Sequence, residues 1–176
     1  MTVESILVSS ANDSRIVLLK EGDGERYLPV FVGTAEANAI ALRMENIDPP
    51  RPLTHDLIKL TFESLGASVD QVVVTELRDD VFYGSLIFRQ QGQQFSVDSR
   101  PSDCIAIALR FDAPIFVNEP VLDEAAMGVD PQTGYLRPYE ELATIEHAGD
   151  KAEEMPPAFR EVIEDLDMGD IDKKEE

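Results

Sequence analysis

Residues 51–56, with the sequence RPLTHD, and residues 98–103, with the sequence DSRPSD, decide the fold because each opens an apolar helix pattern. Each combines arginine, proline, a hydroxyl group and aspartate at the point where hydrophobic periodicity begins. A helix N-terminus carries unpaired N–H groups and a partial positive charge, which favour phosphates, carboxylates and the acidic ligands of a metal ion. We therefore expect a functional site where these two helices begin.

Three helices are predicted within residues 1–127. Thr34 is the expected N-cap of a helix over 35–45, which the proline-rich segment 49–52 ends. Thr54 is the expected N-cap of a second helix that stops at Gly66, whose lack of a side chain suits a C-terminal stop. The third helix begins near Pro101, since proline is preorganised for a first turn, and runs to about Phe111.

Short apolar patterns separated by turn residues predict strands between these helices. The predicted strands cover residues 3–8, 15–20, 27–32, 69–76, 81–89, 94–98 and 113–117, the last of them buried. We expect a compact α+β domain over 1–127, with a mixed, mostly antiparallel sheet and about three helices. A linker over 128–150 and an acidic tail over 151–176, with a tail helix, should follow.

The length and composition favour one globular domain outside a membrane. The chain has 176 residues, 43% of them hydrophobic, and no run approaches the roughly 20 apolar residues of a membrane span. Its first residues lack the basic start and apolar stretch of a signal peptide, which predicts a cytoplasmic protein. Cys104 is the single cysteine, and its apolar neighbours predict a small buried thiol.

The net charge of −20 argues against a globally basic, nucleic-acid-binding surface. Residues 150–176 hold 11 acidic and 4 basic residues, a charge of −7, so the remainder of the chain carries −13. The excess of acidic residues with little lysine also fits a protein kept soluble in a salt-rich cytoplasm. Any site for a polyanion must therefore be a local one.

Several short motifs make the chain resemble the bifunctional nuclease domain family. They are residues 28–33 (LPVFVG), 36–37 (EA), 50–57 (PRPLTHDL), 82–84 (FYG), 98–103 (DSRPSD) and 108–110 (ALR). The resemblance spans roughly residues 3–127, and Ser99 and Cys104 stand where alanine is more usual in the family. It implies a compact α+β fold, a homodimer and, for some plant members, cleavage of both RNA and DNA.

The acidic residues and the histidine in these motifs suit metal-assisted phosphodiester hydrolysis. Asp98, at a strand end, and Asp103, in the first helical turn beyond it, could converge on one Mg²⁺ or Mn²⁺ ion. Asp56 becomes a third candidate ligand if the two helix starts meet. His55 is a candidate general base or leaving-group acid because an imidazole exchanges protons near neutral pH.

The arginines and hydroxyl groups of the same motifs are candidates for binding phosphate. Arg51 and Arg100 could clamp a phosphate in bidentate fashion and stabilise the charge of the transition state. Thr54 and Ser102 could donate hydroxyl hydrogen bonds beside them.

The same residues also have a structural interpretation. Asp98 and Asp103 would cap the third helix, because an acidic residue in a first turn is stabilising without any metal. Arg51 and Arg100 would pair with Asp56 and Asp103 and fix how the two helices dock. Geometry separates the two interpretations, since a catalytic carboxylate needs oxygens that no arginine or backbone N–H occupies.

Other residues have similar alternatives. His55 would be an exposed first-turn residue or the partner of a backbone carbonyl, and Thr54 would only cap its helix. Glu36 in the first turn of its helix fits compensation of the helix dipole better than metal ligation. The aromatic residues, eight phenylalanines and four tyrosines, lie mostly in apolar strand patterns, which predicts core positions and no base-stacking surface.

Two classes of function follow. The first is a metal-assisted nuclease, an RNase or DNase with little sequence selectivity. The second is a non-enzymatic, dimeric binding or regulatory module in which the Arg/Asp motifs are structural. In that case the tail could bind a partner protein, since Phe159, Val162, Ile163 and Leu166 recur at helical spacing on one face.

Overall fold

The computed structural model describes residues 1–8 and 14–145. The strands are β1 (Thr2–Val8), β2 (Arg15–Lys20), β3 (Tyr27–Val32), β4 (Ala67–Arg78), β5 (Val81–Gln90), β6 (Gln93–Ser99), β7 (Ile115–Val117), β8 (Met127–Val129) and β9 (Leu136–Pro138). The helices are α1 (Thr34–Met44), α2 (Thr54–Ser64), α3 (Pro101–Phe111), α4 (Glu119–Ala125) and α5 (Tyr139–Ile145).

The described strands form two sheets. One has the strand order β1-β2-β3-β8-β9 and is antiparallel throughout. The other has the order β6-β5-β4-β7, in which β7 runs parallel to β4 and the remaining pairs are antiparallel. A parallel neighbour requires a long crossover connection, and α3 lies within the connection that leads to β7.

Helix α3 lies at the centre of the molecule. Its sequence from Cys104 to Ala108 is apolar or small on every side, which is typical of a helix with no solvent-facing stripe, and all of these residues are buried. The helix contacts α1 and α2 as well as β3, β4 and β5, so it joins both sheets to the other helices. The first turn of α3 is consequently held at a fixed position relative to α1 and α2.

The structure confirms the predicted α+β fold and its mostly antiparallel pairing. The strands 15–20 and 27–32 and the helix 101–111 have the predicted bounds. The division of the strands into two sheets and the helices α4 and α5 were not predicted. The predicted tail helix lies outside the described residues.

The predicted N-caps were wrong by one residue. The N-cap of α2 is Leu53, Thr54 is the first helical residue, and the backbone N–H of Leu53 donates to Asp56 Oδ2 at 2.8 Å. The N-cap of α1 is Gly33, and the Thr34 hydroxyl instead accepts a hydrogen bond from Arg15. Thr34 and Thr54 are therefore the first residues of their helices, and their hydroxyl groups are not the N-caps that we expected.

The segment predicted as a linker over 128–150 is structured in its described part. Residues 127–145 contain β8, β9 and α5, which extend the first sheet and cover its end. Leu136 and Met127 are buried with Ile16 and Leu18, so this segment contributes its own small apolar cluster. The strands β8 and β9 escaped prediction because their short sequences, MGV and LRP, contain glycine, arginine and proline, which do not favour a strand. The division into domain and tail stays a prediction.

Among the described residues, no helix combines the length and the apolar character that crossing a membrane would require.

Candidate functional site

The first turns of α2 and α3 meet through a histidine and an aspartate. His55 Nε2 lies 2.9 Å from Asp103 Oδ1, although the two residues are 48 positions apart in the chain. A carboxylate can only accept here, so the contact favours the tautomer that carries its proton on Nε2 and leaves Nδ1 able to take up a proton. The two helix starts therefore build a pair of side chains that acid–base chemistry uses.

His55 is enclosed by protein on most sides, since its side chain is 8% exposed. Its second ring nitrogen has no hydrogen-bond partner among the described residues. In that part of the chain, the one fully buried side-chain polar atom without a partner is Ser5 Oγ, so Nδ1 of His55 must retain some solvent contact. The imidazole is thus fixed by Asp103 on one side, and only a small part of the ring contacts solvent.

Arg100, the residue before α3, links this pair to α1. Its Nε donates to Asp103 Oδ2 at 2.9 Å, and its Nη2 donates to Glu36 Oε1 at 2.7 Å. A guanidinium has five N–H donors, so these two bonds leave three unused. The Arg100 side chain is 66% exposed, which places the unused donors at the surface beside His55. They are oriented by two carboxylates before any ligand arrives.

Asp56 belongs to a neighbouring but separate contact. Its Oδ1 accepts from Arg110 Nε at 2.6 Å, and its Oδ2 accepts from the backbone N–H of Leu53. Arg110 is buried and also donates to two backbone carbonyls, one in α3 and one in α1. Both Asp56 oxygens are occupied, so this carboxylate holds α2 on α3 and is not aimed at a ligand.

The stability of the fold should depend on acidic pH through the carboxylates of Asp56 and Glu36. The pKa of Asp56 is lowered: burial would raise it, but the bonds from Leu53 and Arg110 outweigh burial. The pKa of Glu36 is lowered by its own backbone N–H and by Arg100. Both groups therefore stabilise the fold above their unfolded pKa, about 4, and this stability is lost as the pH falls through the lower folded values.

We expect urea unfolding of the wild type to show a free energy of unfolding that falls steadily below about pH 4. The variant Asp56→Asn should be less stable at pH 7 and should lose less on acidification, because its residue 56 no longer titrates. An equal acid slope in the two proteins would contradict the role given to Asp56.

The other predicted site residues are not brought into this cluster. Asp98 is exposed on β6, and its one described interaction is electrostatic, with Cys104. Arg51 is exposed and has no ion pair or hydrogen bond within the described ranges, so the predicted pair with Asp56 is wrong. Thr54 is exposed in the first turn of α2, and Ser102 is buried in the first turn of α3.

The described donor set does not form the predicted metal site. Both oxygens of Asp103 are occupied, by His55 and by Arg100, and Asp98 does not share a contact with it. No group of three or more His, Cys, Asp or Glu residues with the spacing of metal ligands occurs among the residues the structure describes. A hard divalent ion needs oxygens that are free to coordinate, so these residues do not fit a protein-built Mg²⁺ or Mn²⁺ cage.

Gly84 allows the start of α3 to lie directly on the second sheet. A Cβ atom at this position would come within 2.9 Å of the Ser99 carbonyl oxygen and 3.0 Å of Cys104 Sγ. Burial raises the pKa of the Cys104 thiol to about 11, so it is a packing residue at this contact, as predicted from the sequence. The close approach fixes Arg100 and Asp103 relative to β5 and β6.

Two members of the cluster were not predicted as site residues. Glu36 was assigned to the helix dipole, and Arg110 was noted only as part of a motif. The signal that could have found Glu36 is its place in the short motif at 36–37, one of the motifs that carry the family resemblance. Arg110 carries the same kind of signal through the motif at 108–110, but an arginine in the last turn of a helix is also favoured by the helix dipole.

Comparison with known proteins agrees with the motifs. Residues 17–130 match the bifunctional nuclease domain family. An uncharacterised protein of Mycobacterium tuberculosis is 38% identical over 169 residues, which cover 96% of this chain and 95% of that protein. Bifunctional nuclease 1 of Oryza sativa subsp. japonica is 34% identical over 115 residues, and Bifunctional nuclease 2 of Arabidopsis thaliana is 31% identical over 116 residues. Each plant match covers 64% of this chain but 35% of the plant protein.

Proposed function

The chain belongs to the bifunctional nuclease domain family, and we propose on that premise that it hydrolyses phosphodiester bonds of RNA or DNA with little sequence selectivity. Plant relatives carry the name nuclease, while the mycobacterial relative, which aligns along nearly its whole length, is uncharacterised. The nuclease activity of this chain is therefore a proposal, and its support must come from the chemistry of the residues at the starts of α2 and α3.

The observation that carries the proposal is the contact of 2.9 Å between His55 Nε2 and Asp103 Oδ1, with Arg100 on the second oxygen. In this proposal, Nδ1 of His55 removes a proton from a water molecule as the water oxygen bonds to phosphorus. Asp103 stabilises the imidazolium that results. The bond from phosphorus to the leaving oxygen breaks, and that oxygen receives a proton from the imidazolium or from solvent.

Arg100 supplies the phosphate contact in this proposal. Its three unused N–H donors face solvent beside His55, and a guanidinium matches two phosphate oxygens at once. Negative charge grows on those oxygens as the water attacks, so the contact strengthens in the transition state. Arg51, exposed before α2 and without a described partner, is a second candidate for the phosphates that flank the cleaved bond.

The metal stays a prediction. Because the described side chains do not form a cage, a Mg²⁺ or Mn²⁺ ion would need the substrate's phosphate oxygens and water as most of its ligands. Asp98, the other predicted ligand, is exposed on β6 but alternates out of phase with Ser99, so it points away from the face that carries the cluster.

A specific observation also favours the second class of function, a dimeric binding or regulatory module. Asp56 and Asp103 have both oxygens occupied by arginine, histidine or backbone N–H groups, which is the arrangement expected of structural carboxylates. In this alternative Arg100 and Arg110 fix how α1, α2 and α3 dock. The homodimer, the partner of the tail and the cytoplasmic location stay predictions, and sedimentation of the purified chain tests the first of them.

Cleavage of labelled single-stranded RNA and DNA tests the proposal. We expect the wild type to cut both at neutral pH, and we expect the initial rate at subsaturating substrate to rise when salt is increased from about 10 mM to about 150 mM. The reason is that the net charge of −20 repels a polyanion unless it is screened, whereas most nucleic-acid-binding proteins lose affinity as salt rises.

The same assay repeated with Mg²⁺, with Mn²⁺ and with chelator separates metal-assisted from metal-independent cleavage. Comparing Asp98→Asn with wild type in the metal arms then shows whether Asp98 takes part. Absence of cleavage under every condition, by protein shown to be folded, would leave the binding module as the function.

A further inference from the structure

An exposed apolar strip lies on β6, directly before Arg100. Phe95 and Val97 are 41% and 49% exposed, although both belong to a strand of a packed sheet. The aromatic residues were predicted to occupy the core, and for Phe95 this prediction was wrong. The reason is that β6 is an edge strand of its sheet. An apolar side chain on the core-facing side of an edge strand can remain exposed when no helix packs over it.

The strip stands on the same face of the sheet as the candidate site. In the antiparallel pairing of β5 with β6, Gly84 is opposite Ser99, Leu86 is opposite Val97 and Phe88 is opposite Phe95. Residues that are directly opposite point to the same side. A Cβ atom on Gly84 would point at Cys104 and Pro101, so this is the side covered by α3.

Helix α2 reaches the strip through Phe88 of β5. Phe62 of α2 packs edge-on against Phe88, with ring centroids 4.9 Å apart, and Phe88 stacks on Phe95 at 5.3 Å. The other end of α2 carries His55 beside Asp103. One end of α2 therefore lies at the Phe88–Phe95 stack, and the other end lies at the histidine and the start of α3.

The Phe95 ring is held in place before any ligand binds. Its stacking on Phe88, with planes 21° apart, fixes the ring orientation, while its exposure leaves surface for a second flat partner. A fixed aromatic ring costs little entropy on binding, and aromatic rings on sheet surfaces are a general platform for unstacked bases. From Phe95 to Arg100 the strand covers about 16 Å, which spans several nucleotides.

The charge along this strip suits a polyanion better than the chain as a whole. Residues 90–97, with the sequence QQGQQFSV, contain no charged side chain in a protein that has 35 acidic residues. Asp98 pairs with Ser85, one position out of phase with Val97 and Ser99, and so points to the opposite face. The strip is thus a neutral, partly apolar surface that ends at an exposed arginine.

We propose that single-stranded nucleic acid binds along β6 with one base stacked on Phe95 and a phosphate on Arg100. The proposal rests on the proposed nuclease function and names its substrate class: a base must leave its duplex stack to reach the Phe95 ring, so unpaired strands are selected. Val97 contacts the sugar or base that follows, and the strand then enters the cluster of His55 and Asp103.

Fluorescence anisotropy with a labelled, phosphorothioate-linked oligodeoxythymidylate of about twelve nucleotides tests the proposal without interference from cleavage. We expect Phe95→Ala to weaken binding about tenfold. Phe95→Leu should weaken it similarly, because leucine keeps the apolar surface but lacks the ring. The matched control is Phe116→Ala, which removes a ring that is 47% exposed on β7, at the opposite edge of the same sheet, and should bind like the wild type.

The binding and cleavage assays distinguish an incorrect base-stacking strip from an incorrect nuclease proposal. Normal binding by Phe95→Leu, or no binding by the wild type, would overturn the base-stacking strip. So would a Phe95→Ala variant that binds the oligonucleotide normally but sediments at a lower mass, since a second copy of the chain would then cover the strip. Cleavage is measured separately on a dinucleotide, which is too short to span the strip. Absence of dinucleotide cleavage would count against the nuclease activity. Oligonucleotide binding that depends on Phe95 would still support the strip.

Discussion

Replacing Arg110 with alanine is expected to lower the free energy of unfolding by about 3–5 kcal/mol. The side chain is 5% exposed, and its Nε donates to Asp56 Oδ1 at 2.6 Å. Its Nη1 donates to the Ala106 carbonyl at 2.9 Å and its Nη2 donates to the Ala39 carbonyl at 3.2 Å. One guanidinium therefore joins α1, α2 and α3 at the point where they converge.

The loss is large because alanine leaves each of these acceptors without its partner. Asp56 would keep its negative charge at neutral pH with its side chain only 25% exposed, and solvent would replace Arg110 poorly. Removing one partner of a buried ion pair is strongly destabilising, because the other charge is left buried and unpaired. Replacing both partners with apolar residues of the same size changes the free energy of unfolding far less. The two carbonyl oxygens would add the cost of polar groups that are not hydrogen-bonded.

Urea unfolding followed by circular dichroism measures the effect, and Arg89→Ala is the matched control. Arg89 pairs with Asp70 at the same distance of 2.6 Å, but its side chain is 57% exposed. An exposed pair is screened by solvent and contributes little to stability, so the control should unfold almost as the wild type does. If Arg110→Ala were no less stable than Arg89→Ala, the convergence of the three helices would not depend on this residue.

The elements predicted best from the sequence are those whose signals are local. Helix α3 has the predicted bounds because Pro101 sets its first turn and an apolar run of helical length follows. Strands β2 and β3 likewise have clear turn residues beyond them. Strand β7 also has three residues, but it was predicted because all three are apolar residues that favour strands. The strands β8 and β9 were missed because β8 contains a glycine and β9 contains an arginine and a proline, so neither shows a strand pattern.

The candidate site could be predicted only in outline. Two similar motifs at helix starts indicated that their residues would meet, and His55 and Asp103 do meet. Which aspartate would face which arginine depends on how α2 rotates against α3, and no spacing within either motif reports that angle. The pairing of Asp56 with Arg110, instead of Arg51, is therefore information that only the packed structure contains.

Replacing His55 with glutamine is expected to lower the single-turnover cleavage rate by about 10²- to 10⁴-fold, the usual contribution of one general acid–base group. Glutamine has an amide that can donate to Asp103 but has no nitrogen that accepts a proton, so the contact can persist while the chemistry is lost. The control is Glu63→Gln on the same helix, whose exposed carboxylate pairs with Lys59 and should leave the rate unchanged. Cleavage at the wild-type rate by folded His55→Gln would remove His55 from the catalytic group.

Addition of free imidazole distinguishes proton transfer from support of the fold. The variant His55→Ala leaves a space beside Asp103, whose Oδ1 would still be available to orient an imidazole molecule at the position of the lost ring. If His55 transfers the proton, cleavage by His55→Ala should rise with imidazole concentration while the rate of His55→Gln, with the space filled, should not. A purely structural histidine predicts no such rise when the variant is already folded without imidazole, because there is then no lost structure for imidazole to restore. Rescue confined to His55→Ala would therefore assign the acid–base role, and its absence in folded protein would assign His55 to the docking of α2 on α3.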